Sequence, residues 1–128
     1  MILDSSAVAA VFFQEPGYEA LLEKIYRTST LAIGAPTLTE ATIVLSSRLS
    51  RDARGLVARF LQEAGVDVLP FTDAHFGTAT DAWLRYGKGR HSAALNFGDC
   101  LAYATARLAR QPLLATGQDF SRTDLDLA

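Results

Sequence analysis

The sequence predicts an α/β fold of three layers, with helices packed on both faces of a mainly parallel central sheet. Short apolar segments alternate with helical segments along all 128 residues, and no linker, repeat or low-complexity run divides the chain. A helix between two strands favours a parallel crossover connection, and such connections cover both faces of the sheet. Hydrophobic residues make up 49% and charged residues 20%, so we expect a single folded domain over residues 1–128.

Capping and helix-breaking residues set the expected boundaries of the elements. Ser5 or Ser6 can cap the first helix, and a Pro-Gly pair at 16–17 separates that helix from the second. Pro36 is tolerated in the first turn of the third helix, and Gly65 can end the fourth. The predicted strands span 1–3, 31–35, 66–70 and 112–115, and the predicted helices span 5–13, 18–27, 36–50, 52–64, 72–86 and 97–110.

Hydrophobic periodicity supports the remaining elements. The second helix has Leu21 and Ile25 on one face, as an amphipathic helix requires. Residues 66–70 alternate as a strand does, which turns Asp67 away from its two valine neighbours and makes it a structural residue. A glycine-containing loop at 87–91 separates the fifth helix from the sixth.

Composition excludes several classes of protein. The single cysteine, Cys100, can form no internal disulfide and can build no zinc site alone, which fits a reducing cytoplasm. The first residues lack the basic stretch of a signal peptide, and no run approaches the ~18 apolar residues of a membrane span. A formal net charge of −2 argues against general attraction to polyanions. Any contact with nucleic acid therefore requires a local basic patch or a metal ion.

Two acidic residues follow predicted strands. Asp4 comes directly after the first strand, and Asp119 comes shortly after the last one. Ligands of parallel α/β folds collect at the carboxyl ends of the strands, which makes both residues candidates for a site. The local alternatives are that Asp4 caps the helix that follows it and that Asp119 starts a turn.

Two further acids lie on predicted helices. Glu40 shares helical spacing with Ile43 and Val44, so we expect it on their inward-facing stripe. Asp99 lies in the same way on the apolar face of the sixth helix. The local alternatives are that Glu40 is a first-turn acid favoured by the helix dipole and that Asp99 forms a capping box with Asn96.

If these four acids converge, they need a positive partner. Two like charges about 4 Å apart cost on the order of 4 kcal/mol at an effective dielectric near 20. Several such pairs would consume much of a typical stability of about 5–15 kcal/mol. The basic residues lie mostly on apparent solvent faces. A divalent cation removes the repulsion, and oxygen ligands select magnesium or manganese.

The order of these residues resembles the PIN-domain ribonucleases and, among them, the VapC toxins of bacterial toxin–antitoxin systems. The matching segments are Ile2-Leu3-Asp4-Ser5-Ser6-Ala7, Glu40 within a helix, Leu95-Asn96-Phe97-Gly98-Asp99-Cys100, Leu113-Leu114 leading to Gly117-Gln118-Asp119-Phe120, and Thr123-Asp124. They span essentially the whole chain. Ser92 stands where such proteins commonly have a proline, a departure in a loop that leaves every acid in place.

The resemblance implies a metal-dependent endoribonuclease with a three-layer α/β/α PIN-like domain. It implies that Asp4 and Asp99 hold Mg²⁺ or Mn²⁺, and that Glu40 and Asp119 complete the catalytic pocket by orienting a water molecule or holding a second ion. The substrate implied is single-stranded or structured RNA. The further candidates are Ser6 and Asn96 as supporting groups, and Asp124 as a reserve ligand or supporting group.

The resemblance also implies partners. Such toxins usually form homodimers, bind an antitoxin whose C-terminal segment covers the acidic pocket, and reach operator DNA only through that complex. An antitoxin arginine would then supply the positive charge that the acids lack in this chain. No membrane partner is expected, and the expected location is the cytoplasm.

A basic segment and two other functions remain open from the sequence. Arg85, Lys88 and Arg90 are candidates for contacts with RNA phosphates, although a solvated charged loop explains the segment equally well. The chain could instead be a PIN-fold regulatory or binding partner with negligible turnover, because fold does not guarantee activity. A phosphoaspartate receiver-like domain is the other alternative, since it has a similar length and also gathers acids around magnesium.

Overall fold

A computed structural model of the protein describes all 128 residues. It contains every predicted strand and helix, with boundaries within two residues of those expected. The strands are β1 (Ile2–Leu3), β2 (Leu31–Gly34), β3 (Val66–Leu69) and β4 (Leu113–Leu114). The helices are α1 (Ser5–Phe12), α2 (Tyr18–Arg27), α3 (Ala35–Leu49), α4 (Arg54–Ala64), α5 (Asp73–Tyr86) and α6 (Phe97–Ala109), and a 3₁₀ turn follows at Phe120–Arg122. None of the helices has the length and apolar character needed to span a membrane.

The four strands form one parallel sheet in the order β3-β2-β1-β4. The chain winds outward from β1 to β2 and β3, and then returns to pair β4 with the other side of β1. Ile2 therefore pairs with Ala32 on one side and with Leu113 on the other. This reversal opens a crevice at the carboxyl ends of β1 and β4, where open α/β sheets bind ligands. The receiver-like alternative is wrong, because that fold has the strand order 2-1-3-4-5.

Successive side chains along β1 and β2 point to opposite faces of the sheet, and each face has its own hydrophobic core. Leu3 and Ile33 pack with residues of α1, α2, α3 and α4. Ile2 and Ala32 point to the opposite face and pack with residues of α5 and α6. Each core contains 14 buried residues. The three-layer α/β/α architecture predicted from the sequence is confirmed.

The buried face of α3 differs from the predicted one. Its buried residues are Thr37, Ala41 and Leu45, whereas Ile43 is 63% exposed. The expectation that Glu40 shares an inward stripe with Ile43 and Val44 is therefore wrong for Ile43, whereas Glu40 and Val44 are both half-buried at the edge of the packed face. Small side chains let α3 approach α1 and the sheet closely, so close packing decides which face turns inward.

The helix caps partly match the sequence prediction. Asp4, rather than Ser5 or Ser6, caps α1, and its carboxylate accepts a hydrogen bond from the Ser6 N–H at 3.1 Å. Asp4 thus has the capping role offered as a local alternative and also ends β1. Gly65 ends α4 with a φ of 69°, the left-handed conformation predicted for it.

Candidate active site

Asp4 lies at the carboxyl end of β1 and is only 4% exposed. The Ser6 hydroxyl donates a hydrogen bond to Asp4 Oδ2 at 2.6 Å, beside the bond from the Ser6 N–H. The Thr116 N–H, just beyond β4, donates a hydrogen bond to the Ser6 hydroxyl oxygen at 3.0 Å. Ser6 therefore links Asp4 to both central strands, in the supporting position that the sequence suggested for it.

Glu40 is held between α1 and α6. The Ser5 hydroxyl donates a hydrogen bond to Glu40 Oε1 at 2.6 Å. Gly98 lies against the same carboxylate, and a Cβ at residue 98 would come within 3.0 Å of the Glu40 carboxyl carbon. The absence of a side chain at Gly98 is what leaves room for Glu40. The first-turn explanation of Glu40 is wrong, because the first turn of α3 contains no acidic residue.

Asp99 lies in the first turn of α6, where it forms a reciprocal capping box with Asn96. The Asp99 N–H donates a hydrogen bond to Asn96 Oδ1 at 2.8 Å, and the Asn96 N–H donates one to Asp99 Oδ2 at 3.0 Å. The capping alternative and the predicted support of Asp99 by Asn96 are therefore one and the same contact. The box engages one carboxylate oxygen of Asp99 and leaves the other without a protein donor.

The four predicted acids interact electrostatically. Burial raises the pKa of Asp99 to about 6, and the negative charges of Asp4, Asp119 and Glu40 add to this rise. Burial also raises the pKa of Asp4, against the effect of its Ser6 hydrogen bonds, and the charge of Glu40 raises it further. Asp119 is exposed in the turn that leads into the 3₁₀ turn. The structure thus places Asp4, Glu40 and Asp119 close enough to Asp99 for their charges to act on it.

The donor set is suited to a hard divalent cation in an open site. No three His, Cys, Asp or Glu side chains surround a common point at the spacing of metal ligands. Mg²⁺ usually binds through one or two carboxylates, several waters and substrate phosphates, so a closed cage of protein ligands is not required. Asp4, Glu40 and Asp99 are each held through one oxygen. The residues present therefore fit Mg²⁺ or Mn²⁺ better than a softer metal that needs nitrogen or sulfur ligands.

Three site residues were not predicted from the sequence. They are Ser5, which binds Glu40, Gly98, which makes room for it, and Thr116, whose backbone binds Ser6. Ser5 and Gly98 each lie within one residue of a predicted acid, and that adjacency is the only sequence signal for them. Their partner lies on a different element, so only the folded arrangement assigns them a role.

Asp124 belongs to a different cluster. The Tyr103 hydroxyl donates a hydrogen bond to Asp124 Oδ1 at 2.7 Å, and Asp124 Oδ2 forms ion pairs with Arg107 at 3.4 Å and Arg85 at 3.6 Å. The Tyr103 hydrogen bond is the main reason that the pKa of Asp124 is lowered. The prediction that Asp124 is a reserve ligand of the acidic site is wrong, because both of its oxygens bind α5 and α6 instead.

The basic segment at 85–91 is largely engaged within the chain. Arg85 pairs with Asp124, while Arg90 donates a hydrogen bond to the Leu84 carbonyl at 3.1 Å and lies 5.0 Å from the Trp83 ring centroid. Lys88 forms no ion pair or side-chain hydrogen bond. Of the three predicted RNA-binding cations, Lys88 alone keeps its charged group free.

Neither histidine contributes to the acidic site. His75 Nδ1 accepts a hydrogen bond from the Thr72 N–H at 3.1 Å and so helps to cap α5. His91 Nδ1 accepts one from the Ala93 N–H at 3.0 Å within its own loop. The acidic site therefore consists of carboxylates and the hydroxyl and amide groups that orient them.

Comparison with known proteins identifies the class that this fold and site define. The family model of the PIN domain matches residues 1–125, and the chain therefore belongs to the PIN-domain family. Within that family it is similar to ribonuclease VapC36 of Mycobacterium tuberculosis, with 46% identity over 98% of this chain and 91% of the relative. A ribonuclease VapC of Mycolicibacterium smegmatis is 34% identical over 98% of this chain and 97% of its own length.

Solved structures agree with this assignment at the level of the fold. Mycobacterium tuberculosis VapC20, a sarcin-ricin loop cleaving toxin, superimposes with a TM-score of 0.77 at 19% identity, over 99% of this chain and 97% of that one. VapBC2 from Rickettsia felis, bound to a DNA fragment from its promoter, gives a TM-score of 0.77 at 16% identity. That match covers 99% of this chain and 96% of the Rickettsia chain.

Proposed function

We propose that the protein is a metal-dependent endoribonuclease that cleaves single-stranded or structured RNA and acts as the toxin of a toxin–antitoxin pair. The observation that carries this proposal is the convergence of Asp4, Glu40, Asp99 and Asp119, whose charges act together on the pKa of Asp99. The relatives described as VapC ribonucleases support the same reaction. The sarcin-ricin loop cleaved by VapC20 supports a structured RNA as one class of substrate.

Asp4 and Asp99 are the proposed ligands of Mg²⁺ or Mn²⁺. Ser6 and Asn96 orient these carboxylates before any ion arrives, which lowers the cost of ordering the site. When bound, a divalent ion supplies positive charge for the phosphate and lowers the pKa of water. Glu40 and Asp119 complete the pocket, where a carboxylate can orient the attacking water and accept its proton. The water oxygen bonds to phosphorus as the P–O bond to the leaving ribose oxygen breaks, and that oxygen takes a proton from solvent.

Cleavage of cellular RNA by the purified chain tests this function. The protein, freed from any co-expressed partner, is incubated with total RNA and Mn²⁺, alongside EDTA and an Asp99→Asn variant. We expect discrete fragments from the wild type and none in either control. A regulatory binding partner without turnover would give no fragments although the folded protein binds Mn²⁺. Cleavage that persists in both controls would contradict the assignment of the acidic site.

The proposed protein partner is an antitoxin whose C-terminal segment places an arginine against the acidic site. The four carboxylates have no cationic partner within the site, and a bidentate guanidinium would neutralise part of their charge. A chain of a Klebsiella pneumoniae toxin–antitoxin complex has the same fold, and the Rickettsia felis VapBC2 structure is bound to a DNA fragment from its promoter. We expect this chain to reach operator DNA only through such a complex, and to work in the cytoplasm.

An exposed aromatic surface beside the acidic site is the proposed homodimer interface. Phe97 is 79% exposed and Phe76 is 69% exposed, and together with Phe71, Trp83 and Leu101 they line an apolar groove of about 470 Å³. Contiguous exposed apolar surface of this kind marks sites of protein association. A second copy of the chain is the proposed occupant, in agreement with the dimer that the family resemblance implies.

A Phe97→Ser variant is expected to convert the dimer into a monomer. Loss of a large aromatic contact from the centre of an interface typically costs about 2 kcal/mol or more of association free energy. Sedimentation velocity should therefore show about twice 13.8 kDa for the wild type and a single chain for the variant. Tyr26→Ser is the matched control, because Tyr26 is equally an exposed aromatic side chain but lies on α2. A monomeric wild type, or a variant that still dimerises, would contradict this interface.

A further inference from the structure

An open, shallow cavity of about 590 Å³ lies between the end of α3 and the start of α4, and all but one of its lining residues are polar or charged. Ser46 and Ser47 line it from α3, and Arg51 and Arg54 line it from the connection and from the start of α4. Ser46 Oγ accepts a hydrogen bond from the Ala53 N–H at 3.0 Å, and neither serine hydroxyl donates one within the chain. Guanidinium and hydroxyl groups are the donors with which proteins bind phosphate oxygens.

At this cavity, Arg54 already binds one anion, the carboxylate of Asp52. Its Nη2 lies 2.8 Å and its Nε 3.1 Å from Asp52 Oδ2, and its backbone N–H donates a hydrogen bond to Asp52 Oδ1 at 3.0 Å. These bonds lower the pKa of Asp52 to about 2, so the carboxylate stays ionised. Asp52 is therefore an internal anion that competes with any external anion for the donors of Arg54.

Arg51 has no such internal partner. The arginines that flank it along the chain are paired, since Arg48 forms an ion pair with Glu15 and Arg54 forms one with Asp52. No carboxylate lies within ion-pair distance of Arg51. A guanidinium without a partner, beside a cavity lined by hydroxyls, is available for an anion from solution.

The exposed face of α3 connects this cavity to the acidic site. Glu40, Ile43 and Ser47 are spaced by three and four residues, which places them on one side of the helix. Ile43 lines both this cavity and the groove that contains Glu40 and Gly98. Glu40 and Ser47 are separated by seven residue steps, which is on the order of 10 Å along the helix axis. A single RNA strand that lies along this face of α3 can therefore contact both places.

We propose that Arg51, assisted by Arg54 and the hydroxyls of Ser46 and Ser47, binds a phosphate of the RNA strand where that strand lies along α3, away from the phosphate that is cleaved. This site rests on the proposed function, because it extends the RNA path from the acidic pocket along α3. It supplies the local positive charge that a chain with a net charge of −2 needs in order to hold a polyanion.

Binding of a fluorescein-labelled 12-nucleotide single-stranded RNA of mixed sequence tests the site. Anisotropy is measured with Mg²⁺ in the Asp99→Asn background, so that the probe is not cleaved. We expect Arg51→Gln to weaken binding about fivefold and to reduce the salt slope by roughly 0.7, as for the loss of one phosphate contact on a single strand. Asp52→Asn should instead tighten binding, because it removes the competing anion from Arg54.

The matched control is Arg59→Gln, which removes the same charge from the outer face of α4. In the cleavage-competent protein, Arg51→Gln should raise the KM for a long RNA and leave kcat unchanged, as expected for a contact remote from the reacting atoms. Equal weakening by Arg51→Gln and Arg59→Gln, or none by either, would overturn this site while RNA cleavage still stands. A wild type that neither binds nor cleaves RNA would overturn the proposed function and this site together.

Discussion

Replacing Asp99 with asparagine is expected to abolish RNA cleavage and, at the same time, to stabilise the metal-free protein. Asparagine keeps an oxygen that can accept the hydrogen bond from the Asn96 N–H, so the capping box of α6 survives. It removes the charge that binds a divalent cation, which we expect to lower cleavage about a hundredfold or more. It also removes the repulsion that Asp99 experiences from Asp4, Asp119 and Glu40.

The gain in stability has a defined pH dependence. The pKa of Asp99 is about 6 in the folded protein, against 3.8 for an aspartate side chain exposed to water, so the folded state binds the extra proton between about pH 4 and 6. The free energy of unfolding of the wild type therefore falls as pH rises through this window. At neutral pH, the wild type has lost the whole of this contribution to its stability. Because Asp99 is only half-buried, solvent screening reduces the effect to about 1 kcal/mol, or roughly 4 °C in Tm.

Thermal melts at pH 7.5 and pH 4, with and without Mn²⁺, separate these effects. Asp99→Asn should melt above the wild type without metal at pH 7.5, and the difference should vanish near pH 4. Saturating Mn²⁺ at about 100 times its Kd should stabilise the wild type by about 2.7 kcal/mol and the variant far less. Asp67→Asn is the control, since Asp67 lies exposed on the edge strand β3. The proposed role of Asp99 would be contradicted by a metal-free variant that melts below the wild type. It would also be contradicted if Mn²⁺ stabilised the variant as much as it stabilises the wild type.

Local signals in the sequence predicted most of the fold because short apolar segments are separated by strong breaking and capping residues. Gly65 ends α4 in the left-handed conformation that glycine adopts readily. Asn96 and Asp99 have the spacing of a capping box, so their reciprocal bonds were one of the two interpretations that the sequence offered for Asp99. Asp4 could be placed at the carboxyl end of a strand because it directly follows three apolar residues that predict a buried strand.

Contacts between distant elements could not be predicted in the same way. Asp124 is close to Asp119 in sequence, but its carboxylate binds Tyr103 and two arginines that come from α5 and α6. The face of α3 was predicted wrongly because Ile43 is large and apolar, whereas close approach to α1 favours the small Ala41. Such outcomes depend on how elements pack together, and spacing within one helix carries no information about its neighbours.

A Gly98→Ala variant is expected to remain folded and to lose most of its activity. Alanine is the better helix former by about 1 kcal/mol, so α6 itself tolerates the change. Its Cβ, however, would lie about 3.0 Å from the Glu40 carboxyl carbon, closer than the ~3.5–4.0 Å of a normal contact. The flexible Glu40 side chain would yield, break its hydrogen bond from Ser5 and leave the acidic pocket. We expect cleavage to fall at least about tenfold, since a displacement near 1 Å can reduce a rate by up to about a hundredfold.

Gly77→Ala in α5 is the matched control for this prediction. A Cβ at Gly77 has no atom within 4 Å, so this variant should gain helix stability and keep full activity. The double variant Gly98→Ala with Glu40→Ala distinguishes displacement of Glu40 from general damage. If Gly98→Ala acts only by moving Glu40, the double variant should cleave RNA as slowly as Glu40→Ala alone. Additive losses in the double variant, or full activity in Gly98→Ala, would mean that Glu40 does not need its place between Ser5 and Gly98.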